Sequence, residues 1–356
     1  MTDKKTFLSA TLAGLIACTG PAFAQSMPDG AQSDPNTVNP FAFAKSDAKE
    51  AMLEAQKAEA AAAGDRVIGG EVAADGAWPW QVALMVAGQP STPDAQFCGG
   101  SLVLDTWVLT AAHCIYMADG NGGNFQLEPG QFDILVGTNT IADGQGDRVP
   151  VAGVYRHPEY DDRLFDNDIA LIKLARAPSA AYQTINVPDT EFGEQLDQQG
   201  VPTIVTGWGL VNGAQRTEAM MQAEIQIISR DACNNAMMEA RAGFAAPRVM
   251  EAAGAFQLDQ RQTEEVWSEM LARAPLPLSP NMICSGTFEG GKTSCQGDSG
   301  GPLVVPLTDG SYIQAGVVSW GLVGNGSTTC AEDAMFSVYT KASKFVPWLN
   351  QTVSSN

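Results

Sequence analysis

Cys295-Gln296-Gly297-Asp298-Ser299-Gly300-Gly301-Pro302 is the stretch whose reading decides this chain. A serine set among glycines in a tight turn is the setting of an activated nucleophile. The glycines let the backbone bend so that the amides of Gly297 and Ser299 point to one spot, where donors to a developing oxyanion are needed. A serine hydroxyl is a poor nucleophile at neutral pH, so it needs a base, and the base needs an orienting anion. The chain has only two histidines. One is His113, in Leu109-Thr110-Ala111-Ala112-His113-Cys114, and the other is His157, in Arg156-His157-Pro158. Asp166-Asn167-Asp168-Ile169-Ala170-Leu171 offers the anion. Gly-Asp-Ser-Gly-Gly also fits the Gly-x-Ser-x-Gly nucleophile elbow, whose chain order is Ser, acid, His. No histidine follows Ser299, so the order here is His, Asp, Ser.

The 356 residues suffice for one large domain or two small ones, and 45% hydrophobic against 17% charged residues indicates a folded protein. Acidic residues outnumber basic ones 40 to 20, and a net charge of −20 argues against nucleic acid and anionic membranes as partners. The N-terminus reads as an export signal over residues 1–24. It has basic Lys4 and Lys5, an apolar core from Phe7 to Ala17 too short to span a bilayer, and Ala22-Phe23-Ala24 before Gln25 as a small-x-small cleavage site. The rival reading is a lipobox, Leu15-Ile16-Ala17-Cys18, with lipid on Cys18. No other stretch reads as a membrane span. Either reading removes Cys18 from the seven cysteines and leaves six, an even set that suggests three disulfides in an exported chain. No Cys-x-x-Cys pair supports a zinc site.

Residues 25 to about 45 are rich in Pro, Asn, Asp, Ser and Gly, and residues 46–63 are Ala-, Glu- and Lys-rich with helical character. After Val67 the texture becomes all-β: short apolar runs such as 102–104, 107–109, 134–136, 169–174 and 315–320 alternate with Gly-, Asn- and Asp-rich turns. Such spacing fits a sandwich or barrels and does not choose between them. Residues 234–274 break the pattern. Asp259-x-x-Gln262 resembles a capping box, Val266, Trp267, Met270 and Leu271 share one helical face, and Pro275 and Pro277 end the run. This is a helical insertion, and its apolar face is expected to pack on the β elements rather than dock a partner.

From Val67 to Asn356 the chain resembles the chymotrypsin/trypsin family of serine proteases. Thr110-Ala111-Ala112-His113-Cys114 matches the histidine motif, Asp166 to Leu171 the aspartate motif, and Cys295 to Pro302 the serine motif. Ser319-Trp320-Gly321 matches the substrate-backbone strand, and Thr206-Gly207-Trp208-Gly209 and Val338-Tyr339-Thr340-Lys341 are further landmarks. The resemblance implies two antiparallel six-stranded β-barrels, over residues 67–188 and 189–356, with a C-terminal helix and the helical insertion in the second barrel. It implies that His113 is general base and then acid, Asp168 its orienting anion, Ser299 the nucleophile, and the Gly297 and Ser299 amides the oxyanion hole. His157 is read as structural, and the triad aspartate as Asp168 rather than Asp166. The implied disulfides are Cys98–Cys114, Cys233–Cys284 and Cys295–Cys330. Neither cofactor nor metal is expected; at the family's calcium loop, Thr138 stands after Gly137 where an acidic ligand belongs.

Arg66-Val67-Ile68-Gly69-Gly70 resembles the family's zymogen cleavage site, making residues 25–66 a pro-segment. By resemblance, the ammonium freed at Val67 inserts beside the Asp298 carboxylate and orders the turn that aims the Gly297 amide. Thr293, six residues before Ser299, falls at the base of the primary pocket. An uncharged base leaves a cationic side chain unpaired. Gly321 keeps the pocket mouth open and Ser337 narrows its wall. The expectation is cleavage after uncharged, medium-to-large apolar residues (Leu, Met, Phe or Tyr) rather than Arg or Lys. A separate trypsin-like activator must then cut at Arg66. The substrates are proteins or peptides. The alternative is a catalytically silent homologue acting as a binding or adhesion module, which Ser299, His113, Asp168 and Gly297, all present, argue against.

Overall fold

The computed structural model describes residues 70–119, 123–210, 216–287, 292–323 and 334–356. The expected signal peptide over residues 1–24, Cys18, the expected pro-segment with Arg66, Val67 and Cys330 lie outside the described residues. The first half carries β1 (Glu71–Val72), β2 (Gln81–Val86), β3 (Gln96–Leu104), β4 (Trp107–Thr110), β5 (Tyr116–Ala118), β6 (Asn124–Gln126), β7 (Phe132–Val136), β8 (Asp147–Arg156) and β9 (Ala170–Leu174). Strands β2-β3-β4-β9-β8-β7 close into an antiparallel barrel, while β5 and β6 form a separate hairpin. The cause is visible along β8, where Val149 and Val151 are buried and Pro150 and Ala152 exposed. A period-two apolar face turned inward meets Val82, Leu84, Phe132, Ile134 and Ile172 from the neighbouring strands. Closure leaves no open edge.

The second half carries α1 (Thr190–Leu196), β10 (Pro202–Gly207), β11 (Met221–Ile228), α2 (Arg230–Ala255), α3 (Gln260–Arg273), β12 (Met282–Gly286), β13 (Pro302–Pro306), β14 (Tyr312–Val323), β15 (Ala334–Lys341) and α4 (Val346–Ser355). Strands β11-β10-β13-β14-β15-β12 run in order, and β12 pairs back onto β11 to close the second six-stranded barrel. Its core includes Val205, Ile225, Ile227, Leu303, Val318 and Tyr339. The ends of the described chain cross over. β1 adds to the second barrel at β11, pairing Glu71 with Gln222, and the C-terminal helix α4 packs on the first through Leu349. His157 is wedged there, its ring 5.1 Å from that of Phe345 and 5.0 Å from that of Trp348. Burial lowers its pKa, in keeping with a packing role. No helix among the described residues is long and apolar enough to cross a membrane.

The insertion is two helices rather than one run. Ser229 caps α2 by accepting from the Ala232 N–H at 3.2 Å, and the expected capping box of Asp259 and Gln262 opens α3. Only the start of α2 enters the core, where Cys233, Ala236, Met237 and Ala240 pack with Leu278. The expectation that the α3 apolar face packs on the barrel fails. Val266, Met270 and Leu271 are 44%, 49% and 38% exposed, Trp267 is half-buried, and Thr263 alone is buried in that helix. An apolar helical face need not be covered: the barrel closes its own edges through β11–β12, and α3 stands away from its outer surface.

A buried cation ties α1 to β15. Lys341 Nζ, 1% exposed, donates to Glu194 Oε2 and to Asp197 Oδ2, each at 2.8 Å, and Arg230 also reaches Asp197 at 3.2 Å. The Lys341 and Lys344 ammonium groups hold the Glu194 carboxyl down at about 2. A carboxyl depressed on folding stabilises the fold above its unfolded value, and that contribution disappears as pH falls through the folded value. Lys341→Met is expected to lower the unfolding free energy by about 1–2 kcal/mol at neutral pH, because Glu194 and Asp197 each lose one donor but keep Lys344 and Arg230. Denaturant titration should find the deficit shrinking as pH drops from about 4 toward 2.

Candidate active site

The site lies at the seam between the barrels. Strand β4 ends at Thr110, and a short 3-10 turn, Ala112–Cys114, presents His113, which is 7% exposed. Asp168, fully buried two residues before β9, takes two bonds from that one residue. The His113 ring Nδ1 lies 2.7 Å from Asp168 Oδ2, and the His113 backbone N–H donates to Oδ1 at 2.9 Å. A carboxylate on Nδ1 places the proton there and leaves Nε2 as the basic nitrogen. The Ser319 hydroxyl also donates to Asp168 Oδ2, and Thr340 Oγ1 donates to the Asp168 carbonyl at 2.7 Å. The Asp168 charge is thus satisfied inside the protein by three donors. Ser319, expected only as part of the substrate-backbone strand, here reaches the aspartate.

The Ser299 turn is pressed onto the strands that carry His113. The Gly99 N–H of β3 donates to the Ser299 carbonyl at 2.7 Å, and Cys114 Sγ lies 3.5 Å from the same oxygen. Gly300 has φ +81°, and a Cβ there would stand 2.2 Å from Thr110 Oγ1 and 2.5 Å from the Gly99 carbonyl. No side chain fits that approach. The second half holds the other side of the turn: the Gly300 N–H donates to Val318 O at 2.8 Å and the Gly301 N–H to Asp298 O at 2.8 Å. Histidine, aspartate and serine therefore come to one place from three chain segments.

Gly297 takes φ +101°, a conformation L side chains rarely adopt, as the reading of the motif requires. Its carbonyl is held by a residue the sequence did not flag. Gln96 is 1% exposed, and its Nε2 donates to the Gly297 carbonyl at 2.7 Å. The two residues are 201 positions apart, so no local pattern announces the contact. Asp298 carries a carboxylate that packs where Cβ atoms on Gly207 or Gly209 would come within 2.2 and 2.4 Å. The Gly209 N–H donates to it at 2.7 Å and the Cys295 N–H at 2.9 Å. Burial nevertheless pushes this carboxyl up to about 6, against the opposing pull of the two amides.

The residues assigned to the primary pocket also converge. Trp320 and Gly321 of β14 pair with Val338 and Ser337 of β15. Ser337 Oγ lies 2.5 Å from Thr293 Oγ1 and accepts from Ser294 Oγ at 2.7 Å. A Cβ on Gly321 would sit 3.3 Å from Ser337 Oγ, so the serine stands directly across the strand pair from that glycine. The Cys98–Cys114 and Cys233–Cys284 disulfides are formed. Cys295 is disulfide-bonded too, and its expected partner Cys330 lies outside the described residues. Among the described residues, the cluster spaced for a metal is Cys98, His113 and Cys114, and the disulfide removes both thiolates as ligands.

The sequence matches the Trypsin family over residues 67–349. It is 32% identical over 294 residues to dog (Canis lupus familiaris) anionic trypsin, covering 82% of this chain and 91% of that one. Against Xenopus laevis trypsin the identity is 31%, covering 82% and 92%. It is 31% identical to human serine protease 56, covering 82% of this chain but 39% of that longer protein. The chain belongs to the trypsin family of serine proteases, which are peptide-bond hydrolases.

Gln96→Leu keeps the bulk and removes the donor to Gly297. In protein first cut with trypsin, the rate of Ser299 labelling by a fluorophosphonate is expected to fall roughly five- to tenfold, the worth of one net hydrogen bond. Circular dichroism should be unchanged.

Proposed function

We propose that this protein is an exported serine endopeptidase, made as a zymogen and activated by cleavage after Arg66. The observation that carries the reading is the His113–Asp168 contact at 2.7 Å beside a Ser299 turn whose carbonyl is bonded to Gly99 at 2.7 Å. In the proposed reaction the Ser299 hydroxyl proton passes to His113 Nε2 as Oγ bonds to the scissile carbonyl carbon. The oxyanion that forms is met by the Gly297 and Ser299 amides. His113 then gives the proton to the leaving amine, and Asp168 stays ionised and stabilises the imidazolium. Water repeats the sequence on the acyl-enzyme, with its proton going to His113 and then to Ser299 Oγ, releasing the acid and free enzyme.

Two observations support activation through Asp298. Its carboxyl is raised to about 6 by burial, a state that an inserted Val67 ammonium would relieve. The described chain begins at Gly70, where a Cβ would lie 2.8 Å from the Gln222 carbonyl. Gln222 pairs with Thr206, next to the Gly207 that packs on Asp298. In this reading a Val67 ammonium, three residues before Gly70, has a short span to cover to Asp298. For specificity, the hydroxyls of Thr293, Ser294 and Ser337 bring no charge to the pocket base. This favours Leu, Met, Phe or Tyr before the scissile bond over Arg or Lys, and so implies a trypsin-like activator acting in trans.

Cleaving the precursor with trypsin and then profiling a peptide library tests the whole reading. Phe or Leu peptides should be turned over at least about tenfold faster than Arg peptides, since a buried unpaired cation loses well over 1.4 kcal/mol. Faster turnover of Arg would reverse the assignment of Thr293. Arg66→Gln is expected to stay unlabelled by fluorophosphonate after the same treatment, while the wild type labels at Ser299. A treated wild type that takes no label would point instead to a silent homologue.

A further inference from the structure

The aspartate motif holds a second carboxylate, Asp166, which the triad does not use. Its placement gives it work. Asp166 Oδ1 accepts from Ser279 Oγ at 2.6 Å and from Asn281 Nδ2 at 3.4 Å, and it receives the backbone N–H of Asn167 at 3.1 Å. Asn281 Nδ2 also donates to Asn167 Oδ1 at 2.9 Å. The contacts from Ser279 and Asn281 join residues 113 to 115 positions apart, one set on the loop that ends at Asp168 and the other on the segment leaving α3.

Both ends of this tie are anchored in functional ground. On the catalytic side, Phe165 and Asn167 flank Asp166 with φ of +52° and +55°. Asparagine tolerates that region, whereas phenylalanine seldom enters it and must be held there by its surroundings. Phe165 stands edge-on to the His113 ring with centroids 5.9 Å apart. On the far side, the Leu278 N–H donates to Asn234 Oδ1 at 2.8 Å, and Asn234 and Leu278 are each 3% exposed. The Asn281 carbonyl accepts from the Lys341 N–H at 2.8 Å, which fixes this segment to β15. The tie therefore runs from the base of the helical insertion to a strained turn that carries the triad aspartate and touches the triad histidine.

We propose that Asp166 is a positioning residue: bonded by Ser279 and Asn281, it holds the Phe165–Asn167 turn and thereby the Asp168–His113 pair. It acts as a hydrogen-bond acceptor, and its charge is secondary. This rests on the protease reading above. Asp166→Ala, Asn281→Ala, their double variant and Asp166→Asn are compared in trypsin-activated protein, with kcat normalised to fluorophosphonate-titrated sites. Asp166→Ala and Asn281→Ala are each expected to lower kcat about tenfold with KM within about twofold, since only transition-state alignment is lost. The double variant should be less impaired than the product of the singles, because the two residues share a contact. Asp166→Asn keeps the acceptor and should retain at least half of the wild-type kcat. Unchanged kcat in both alanine variants overturns the proposal. So does an Asp166→Asn as impaired as the alanine, or a loss confined to the number of titratable sites. A wild type that cannot be titrated overturns the protease reading itself, and this proposal with it.

Discussion

The hydrogen bond from the Gly99 amide to the Ser299 carbonyl, at 2.7 Å, joins the two halves of the site. One barrel supplies the histidine and its aspartate, and the other supplies the serine turn and the pocket. Each barrel closes on its own core, so catalysis depends on how closely the two meet. The meeting is close because glycine stands at 99 and 300; at Gly300 a Cβ would lie within 2.5 Å of two atoms of the opposing barrel. The Cys98–Cys114 disulfide clamps the two strand ends next to that seam. In the proposed reaction this closeness matters, since proton transfer requires hydrogen-bond reach between groups on different barrels.

Three aspartates along this seam show how environment divides labour among chemically equal groups. Asp168 is buried and takes donors from His113 twice and from Ser319 once. Asp166 lies two residues earlier, half-buried, and takes side-chain donors from the opposite barrel. Asp298 accepts from two backbone amides, and burial raises it to about 6. The same carboxyl group meets a histidine and a hydroxyl in the first setting, side chains of the other barrel in the second, and backbone amides in the third.

The helical insertion extends the second barrel without enlarging its core. The start of α2 is stitched down by the Cys233–Cys284 disulfide and by Asn234, and beyond that point the hairpin projects with Phe256 76% exposed and Leu276 65% exposed. Its root, rather than its exposed face, reaches the catalytic loop. The short segment 278–281 joins that root to the Asp166 loop.

The sequence by itself carried the family resemblance, and through it the two-barrel architecture. The three motifs are local strings whose glycines, cysteines and neighbours report their own backbone needs, so Gly297 at positive φ and the capping box at Asp259 were readable one turn at a time. The all-β texture was readable too, because a period of two needs only a few residues. Sequence did not reveal which face of α3 was covered: amphipathicity records that a helix has an apolar side, not what stands opposite. Nor did it single out Gln96 or the tie at Asp166, whose partners lie 201 and 113 to 115 residues away. Those contacts exist only once two closed barrels are docked. A hydrogen bond is decided by distance and angle in space, and no spacing along the chain encodes that.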